Sequence, residues 1–152
     1  MVSLFNVRVY GILIENGKIL VSDEIHSGRL ITKFPGGGLQ FGEGTIDCLK
    51  REFREELDIS IEIESHFYTV DFFQPSAFDP TQQIVSIYYK IVSNEAVLIN
   101  TEENKIIPQN LQQSNQWFRW LKIRDLNEDE FTFPIDKQVS KLIFDLFQNR
   151  NN

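Results

Sequence analysis

The stretch "FPGGGLQFGEGTIDCLKREFREELDI", Phe34 to Ile59, decides how the rest of the chain is read. Gly36, Gly37 and Gly38 stand in a row and allow backbone angles that other residues resist. Thr45 reads as a helix N-cap, with Asp47 favourably placed in the first turn. From there a helical pattern runs to about Leu57. At about 100° per residue, Ile46, Leu49, Phe53 and Leu57 make one apolar stripe. Glu52, Glu55 and Glu56 lie beside it within about another 100° of arc, while Lys50 and Arg54 point elsewhere. Like charges on one helix face cost stability unless something neutralises them. Such a face is either solvated surface, as most acidic helix faces are, or a cation site. Several details favour the cation. Glu52 and Glu56 are one turn apart, with Cβ atoms about 5–6 Å from each other. The cluster adjoins the stripe that faces the core, and a glycine-rich loop precedes it. Mg²⁺ binds such hard oxygens, usually one or two carboxylates together with substrate phosphates.

The flanking sequence predicts strands. Residues 7–24 read as a β-hairpin turning at Asn16-Gly17, with apolar residues on both faces of its first strand. Residues 29–35 read as a short strand stopped by Pro35. A long alternating strand is expected from Ile59 to Phe73, then a loop from Gln74 to Thr81 carrying Pro75 and Pro80. Residues 83–92 read as another strand, the polar stretch 101–116 as a long loop, and 117–123 as a further strand. After Pro134, Ile135, Val139, Leu142, Ile143 and Phe147 mark an amphipathic helix. This order of elements predicts an α+β fold with helices packed on a mixed sheet.

At 152 residues, 41% of them hydrophobic, the chain is expected to form one domain, 1–152, with a real core. A net charge of −7 argues against a general nucleic-acid binder, which needs Lys and Arg for phosphate contacts. It leaves room for a single nucleotide bridged to carboxylates by a divalent metal. One cysteine, Cys48, excludes an intramolecular disulfide and a cysteine-rich zinc site. No apolar run reaches the roughly 18 residues of a membrane span, and the start lacks a signal-peptide pattern. The expectation is a soluble cytoplasmic protein with a small-molecule partner, no nucleic-acid polymer and no membrane; a homodimer is compatible with it.

The stretch from Gly37 to Ile59 resembles the box of the Nudix hydrolase family, G-x5-E-x7-R-E-U-x-E-E-x-G-U, where U is a bulky apolar residue. Gly37, Glu43, Arg51, Glu52, Phe53, Glu55, Glu56 and Ile59 fit it; Asp58 stands where the family has glycine. The resemblance to MutT-like proteins implies an α/β/α sandwich around a mixed β-sheet. It also implies Mg²⁺- or Mn²⁺-dependent cleavage of a nucleoside diphosphate linked to another moiety, such as a nucleoside triphosphate or ADP-ribose. By the same resemblance Glu52, Glu55, Glu56 and the Gly37 carbonyl are metal ligands. Glu52, Glu55 and Arg51 serve the chemistry, Arg51 by orienting and partly neutralising the glutamates. Glu43 is then the partner of Arg51 or a further ligand. A non-catalytic nucleotide sensor on the same fold is the alternative, against which the intact carboxylates speak. An isopentenyl diphosphate isomerase-like activity ranks low, since it needs a catalytic cysteine and Cys48 lies within the box helix.

Other residues carry weaker signals. Arg8, Arg29 and Lys33 precede the box and are the candidate phosphate contacts, Lys33, two residues before Pro35, being the best placed. One of Phe72, Phe73 and Phe78 could stack on a base, although such aromatics are more often core. Glu102 or Glu103 could supply a carboxylate from beyond the box. His26 and His66 form no ligand pair, and Cys48 reads as a small packing residue. Asp58 is expected in the left-handed helix cap that glycine usually fills.

Overall fold

The hairpin predicted at Asn16-Gly17 forms between β1 (Leu4–Glu15) and β2 (Lys18–His26), with Ile14 opposite Ile19 and Glu15 opposite Lys18. Asn16 and Gly17 have φ of 51° and 73°, the left-handed pair whose twist matches the flanking strands. The computed structural model describes residues 1–113 and 115–152; Ser114, within the predicted polar loop, lies outside the described residues. The remaining elements are β3 (Arg29–Lys33), β4 (Gly36–Gly38), α1 (Thr45–Leu57), β5 (Glu62–Thr69), β6 (Gln82–Val92), β7 (Gln116–Lys122) and α2 (Pro134–Asn151). Mixed β-strands with two α-helices make the fold α+β, as the order of elements predicts. The chain forms two compact units, Met1–Leu13 with Pro35–Ile99, and Ile14–Phe34 with Asn100–Asn152.

In the first unit β1 lies between β4, antiparallel, and β6, parallel from Leu4 opposite Gln82 to Leu13 opposite Ile91. A parallel neighbour needs a crossover, and the segment holding α1 and β5 supplies it. Helix α1 presses Phe53 onto the strands at Gly11. A Cβ there would stand 2.8 Å from Phe53 Cε2 and from Ile91 Cδ1, so only glycine leaves room. The buried side of α1 is Cys48, Leu49 and Phe53. Ile46, expected in that stripe, is 42% exposed instead. The first turn is held by polar contacts: Thr45 Oγ1 and the Tyr89 hydroxyl are 2.7 Å apart, and the Asp47 carboxylate accepts the Gly44 N–H at 3.1 Å. Gly44, not Thr45, is the N-cap: its backbone is extended, with φ −79° and ψ 168°, and the helix already begins at Thr45.

The strand expected over 59–73 is shorter. β5 covers Glu62–Thr69, with register shifts at Ile63/Ser65 and His66/Tyr68 that break the simple alternation. Ile59 and Ile61 precede it and are buried through their side chains, outside any ladder.

In the second unit β2 pairs antiparallel with β3 and with β7. Helix α2 buries Ile135, Val139 and Ile143, while Leu142 and Phe147 are half-buried. Phe34 and Phe131 stack at 4.7 Å. A buried charge network ties the strands: Arg119 Nε donates to Asp23 Oδ2 at 2.5 Å, and Thr32 Oγ1 donates to Asp23 Oδ1 at 2.5 Å. Among the described residues from Asn100 to Asn115 there is no regular element, and no helix of the described residues is long and apolar enough to cross a membrane.

Candidate metal and catalytic site

Two of the glycines in β4 answer to close contacts. Gly36 has φ of 146°, and a Cβ on it would fall 2.1 Å from the Val9 carbonyl oxygen. A Cβ on Gly37 would fall 2.5 Å from Glu52 Cδ and Oε1. The absence of a side chain at Gly37 is thus what lets the Glu52 carboxylate lie directly on the strand. Glu52 is only 13% exposed, so its charge is drawn out of solvent beside a backbone that can offer carbonyl oxygen.

Arg51 gathers the surrounding carboxylates. Its Nε donates to Glu43 Oε2 at 3.0 Å and its Nη2 to Glu43 Oε1 at 2.7 Å, a two-point clamp. Nη1 donates to Glu52 Oε1 at 2.9 Å and to Glu55 Oε2 at 3.2 Å, and Nη2 to the Gly38 carbonyl at 3.2 Å. One guanidinium therefore joins β4, the loop end at Glu43 and two of the three crowded glutamates. The Arg51 hydrogen bonds hold the Glu43 carboxyl down to about 2, and the same contacts raise Arg51 above its ordinary range. Burial, with the Glu43 charge beside it, pushes the Cys48 thiol up to about 12. Its role is packing: a thiol held neutral is a poor nucleophile.

The three glutamates differ in setting. Glu52 is drawn onto Gly37, Glu56 is half-buried, and Glu55 is 59% exposed. Among the described residues no three His, Cys, Asp or Glu side chains gather closely enough to hold a metal by themselves. The donor set nevertheless suits a hard divalent ion, which commonly takes one or two carboxylates and completes its shell with water and substrate phosphate. The cleared space at Gly37, with a carboxylate lying against it, is the feature that fits such an ion.

The remaining candidates fall in different places. Asp58 takes φ 53° and ψ 39°, the expected left-handed cap, and its carboxylate accepts from Arg54 Nη1 at 3.2 Å. Lys33 belongs to the second unit and is 4% exposed, with Nζ 3.4 Å from the Phe34 carbonyl. It is no solvated surface charge. Arg29 is exposed where β3 begins, and Glu102 and Glu103 are exposed in the same unit. Phe72, Phe73 and Phe78 are exposed in the first unit rather than core. His66 meets Tyr89 edge-on and shares a 2.8 Å hydrogen bond with Thr69 Oγ1; His26 is exposed. Sequence reasoning missed the charge network of Asp23 and Arg119, since nothing in the sequence pairs residues this far apart.

The NUDIX domain model matches residues 5–142. The chain belongs to the Nudix family. Solved structures with the same fold include the E. coli ORF135 protein, 17% identical over 96% of this chain and 93% of that one, with a TM-score of 0.68. A MutT Nudix hydrolase from Burkholderia pseudomallei is 17% identical over 91% and 98% of the two chains, TM-score 0.65. A UDP-X diphosphatase is 12% identical over 95% of this chain and 65% of that one, TM-score 0.58. At these identities the likeness is one of fold. No curated protein matches the chain by sequence. The Nudix assignment makes the chain a pyrophosphohydrolase by family; Nudix hydrolases act on small nucleotide derivatives and generally use divalent metal ions.

Proposed function

We propose that residues 1–152 act as one Nudix domain that cleaves the pyrophosphate bond of a nucleoside diphosphate linked to another moiety, with Mg²⁺ or Mn²⁺ as the metal. The leading substrates are nucleoside triphosphates and nucleotide sugars such as ADP-ribose. The observation that carries this reading is the Glu52 carboxylate lying on the bare backbone of Gly37 while Arg51 gathers Glu43, Glu52 and Glu55. A neighbour that is a UDP-X diphosphatase favours the nucleoside diphosphate class.

Glu52, Glu56 and the Gly37 carbonyl, with Glu55 beside them, would hold the ion. When bound, it neutralises phosphate charge, polarises phosphorus and lowers the pKa of an attacking water. Arg51 orients Glu52 and Glu55 and, through Glu43, ties the loop to α1. Glu55, open to solvent and held at one oxygen by Arg51, is the group assigned to take the proton of that water. Lys33 and Arg29 are assigned to phosphate contact on their charge alone.

The test is a screen of nucleoside triphosphates, ADP-ribose, nucleotide sugars, dinucleoside polyphosphates and NAD(H), with Mg²⁺ and with Mn²⁺, identifying products. Phosphoanhydride cleavage of one class is expected. Survival of every compound with both metals would overturn the hydrolase reading and favour a nucleotide sensor.

A further inference from the structure

Thr45 opens α1 in line with two of its glutamates. At about 100° per residue, Thr45 and Glu52 differ in direction by about 20°, and Thr45 and Glu56 by about 20° the other way. The three therefore form one row along α1, about 16 Å long, on the side that also carries the buried Cys48 and Leu49. Residues in this row look toward the strands. Glu52 lies on Gly37 of β4, where a Cβ would fall 2.5 Å from its carboxyl carbon, and the Thr45 hydroxyl stands 2.7 Å from the hydroxyl of Tyr89 on β6.

Tyr89 is a firm anchor for that contact. Its backbone is paired on both sides, with Gly11 of β1 and with His66 of β5. Gly11 is the place where Phe53 of α1 presses on the strands. The His66 ring meets the Tyr89 ring edge-on, 5.9 Å between centroids and 86° between planes. His66 is itself held, with Nε2 and Thr69 Oγ1 2.8 Å apart. A tyrosine side chain turns about only two torsions, so a ring flanked in this way presents its hydroxyl at a fixed point.

The position of Glu52 depends on how α1 is turned about its own axis. Side-chain tips lie about 5–6 Å from a helix axis, so a turn of about 10° carries the carboxylate by about 1 Å. A functional constellation tolerates only about 0.5 Å. Phe53 in the space above Gly11 fixes how closely α1 approaches, but an apolar contact has no direction and resists rotation weakly. Arg51 is long enough to follow the carboxylates it binds. The bond between Thr45 and Tyr89 is short and directional, and it acts on the same row as Glu52. We infer that the Tyr89 hydroxyl, through Thr45, sets the rotation of α1 and so places Glu52 at Gly37, which makes Tyr89 a positioning residue for the metal site. This inference rests on the reading of Glu52 and Gly37 as metal contacts.

The test is calorimetric titration with Mg²⁺ alone, paired with melting in EDTA, for wild type, Tyr89→Phe, Thr45→Val, the double variant Tyr89→Phe/Thr45→Val, and Thr45→Ser. Tyr89→Phe keeps the ring and removes the hydroxyl; Mg²⁺ affinity should fall about 10-fold, the lower end of what losing a group that orients a metal ligand costs. Thr45→Val should give the same fall. The double variant should bind no more weakly than either single variant, because all three lack the same bond. Thr45→Ser keeps a hydroxyl and should bind Mg²⁺ as wild type does. A lower melting temperature with unchanged Mg²⁺ affinity in Tyr89→Phe and Thr45→Val would make the bond structural only and overturn the inference. So would losses that add in the double variant. Glu52→Gln in the same titration keeps the two readings apart. If it binds Mg²⁺ as wild type does, or if wild type binds none, the metal site is misplaced and the role of Tyr89 falls with it. If Glu52→Gln weakens binding while Tyr89→Phe and Thr45→Val do not, the metal site stands and the positioning role alone fails.

Discussion

Replacing Glu52 by glutamine removes one charge from the crowded face of α1 at nearly constant shape. In the structure that carboxylate accepts from Arg51 Nη1 at 2.9 Å and lies against the backbone at Gly37 with 13% exposure. Glutamine can keep a neutral hydrogen bond to Arg51, so the loss is the difference between charge-assisted and neutral bonding, about 1 kcal/mol. Relief of repulsion from Glu55 and Glu56 returns a few tenths, about 0.2–0.5 kcal/mol. The metal-free protein should therefore lose about 1 kcal/mol or less, a small drop in melting temperature. Turnover should fall by a factor on the order of 10² or more, because the group at the proposed metal contact has lost its charge. The decisive assay follows melting in EDTA and in excess Mg²⁺ together with hydrolysis. Wild type should gain stability with Mg²⁺ and the variant should gain much less. Wild-type turnover and an undiminished Mg²⁺ response in Glu52→Gln would refute the assignment of the box as the metal site.

Other substitutions probe neighbouring contacts. Gly37→Ala places a methyl 2.5 Å from the Glu52 carboxyl carbon, so the carboxylate must move; Mg²⁺ titration should show affinity reduced at least about 10-fold, and equal affinity would count against the close approach. Asp58→Gly relieves a left-handed residue at φ 53° at the cost of an exposed pair with Arg54; denaturant melts should show stability unchanged or raised by up to about 1 kcal/mol, with activity intact. The Glu43 carboxyl is depressed from 4.5 to about 2, so its contribution is complete above about pH 4.5 and is lost as pH falls toward about 2. The stability gap between wild type and Glu43→Gln should therefore close across that window; a gap independent of pH would show that the charge of Glu43 is not what Arg51 holds.

Sequence alone determined the features that depend on local chemistry. Asn16-Gly17 specified the hairpin, because few residue pairs accept two left-handed angles in succession. The spacing of Leu49, Phe53 and the glutamates specified α1 and its two faces, and Asp58 took the cap conformation expected of it. Periodicity placed β6 and the start of α2 to within a residue, while α2 runs on past Phe147 to Asn151. Tertiary structure decided everything that depends on which distant atoms meet. The helix begins at Thr45, whose hydroxyl meets Tyr89, so Gly44 is the cap; the strand expected from Ile59 to Phe73 pairs with β6 only from Glu62 to Thr69, with two register shifts inside it. The apparent conflict of three glutamates on one face is partly settled without any metal, by an Arg51 whose reach to Glu43, Glu52, Glu55 and Gly38 no spacing rule predicts. Arg8 over Gly38, and Arg119 on Asp23, belong to the same class. A periodic pattern reports which face of an element is buried, whereas a long side chain selects its partner by direction, and that direction exists only once the strands are in register.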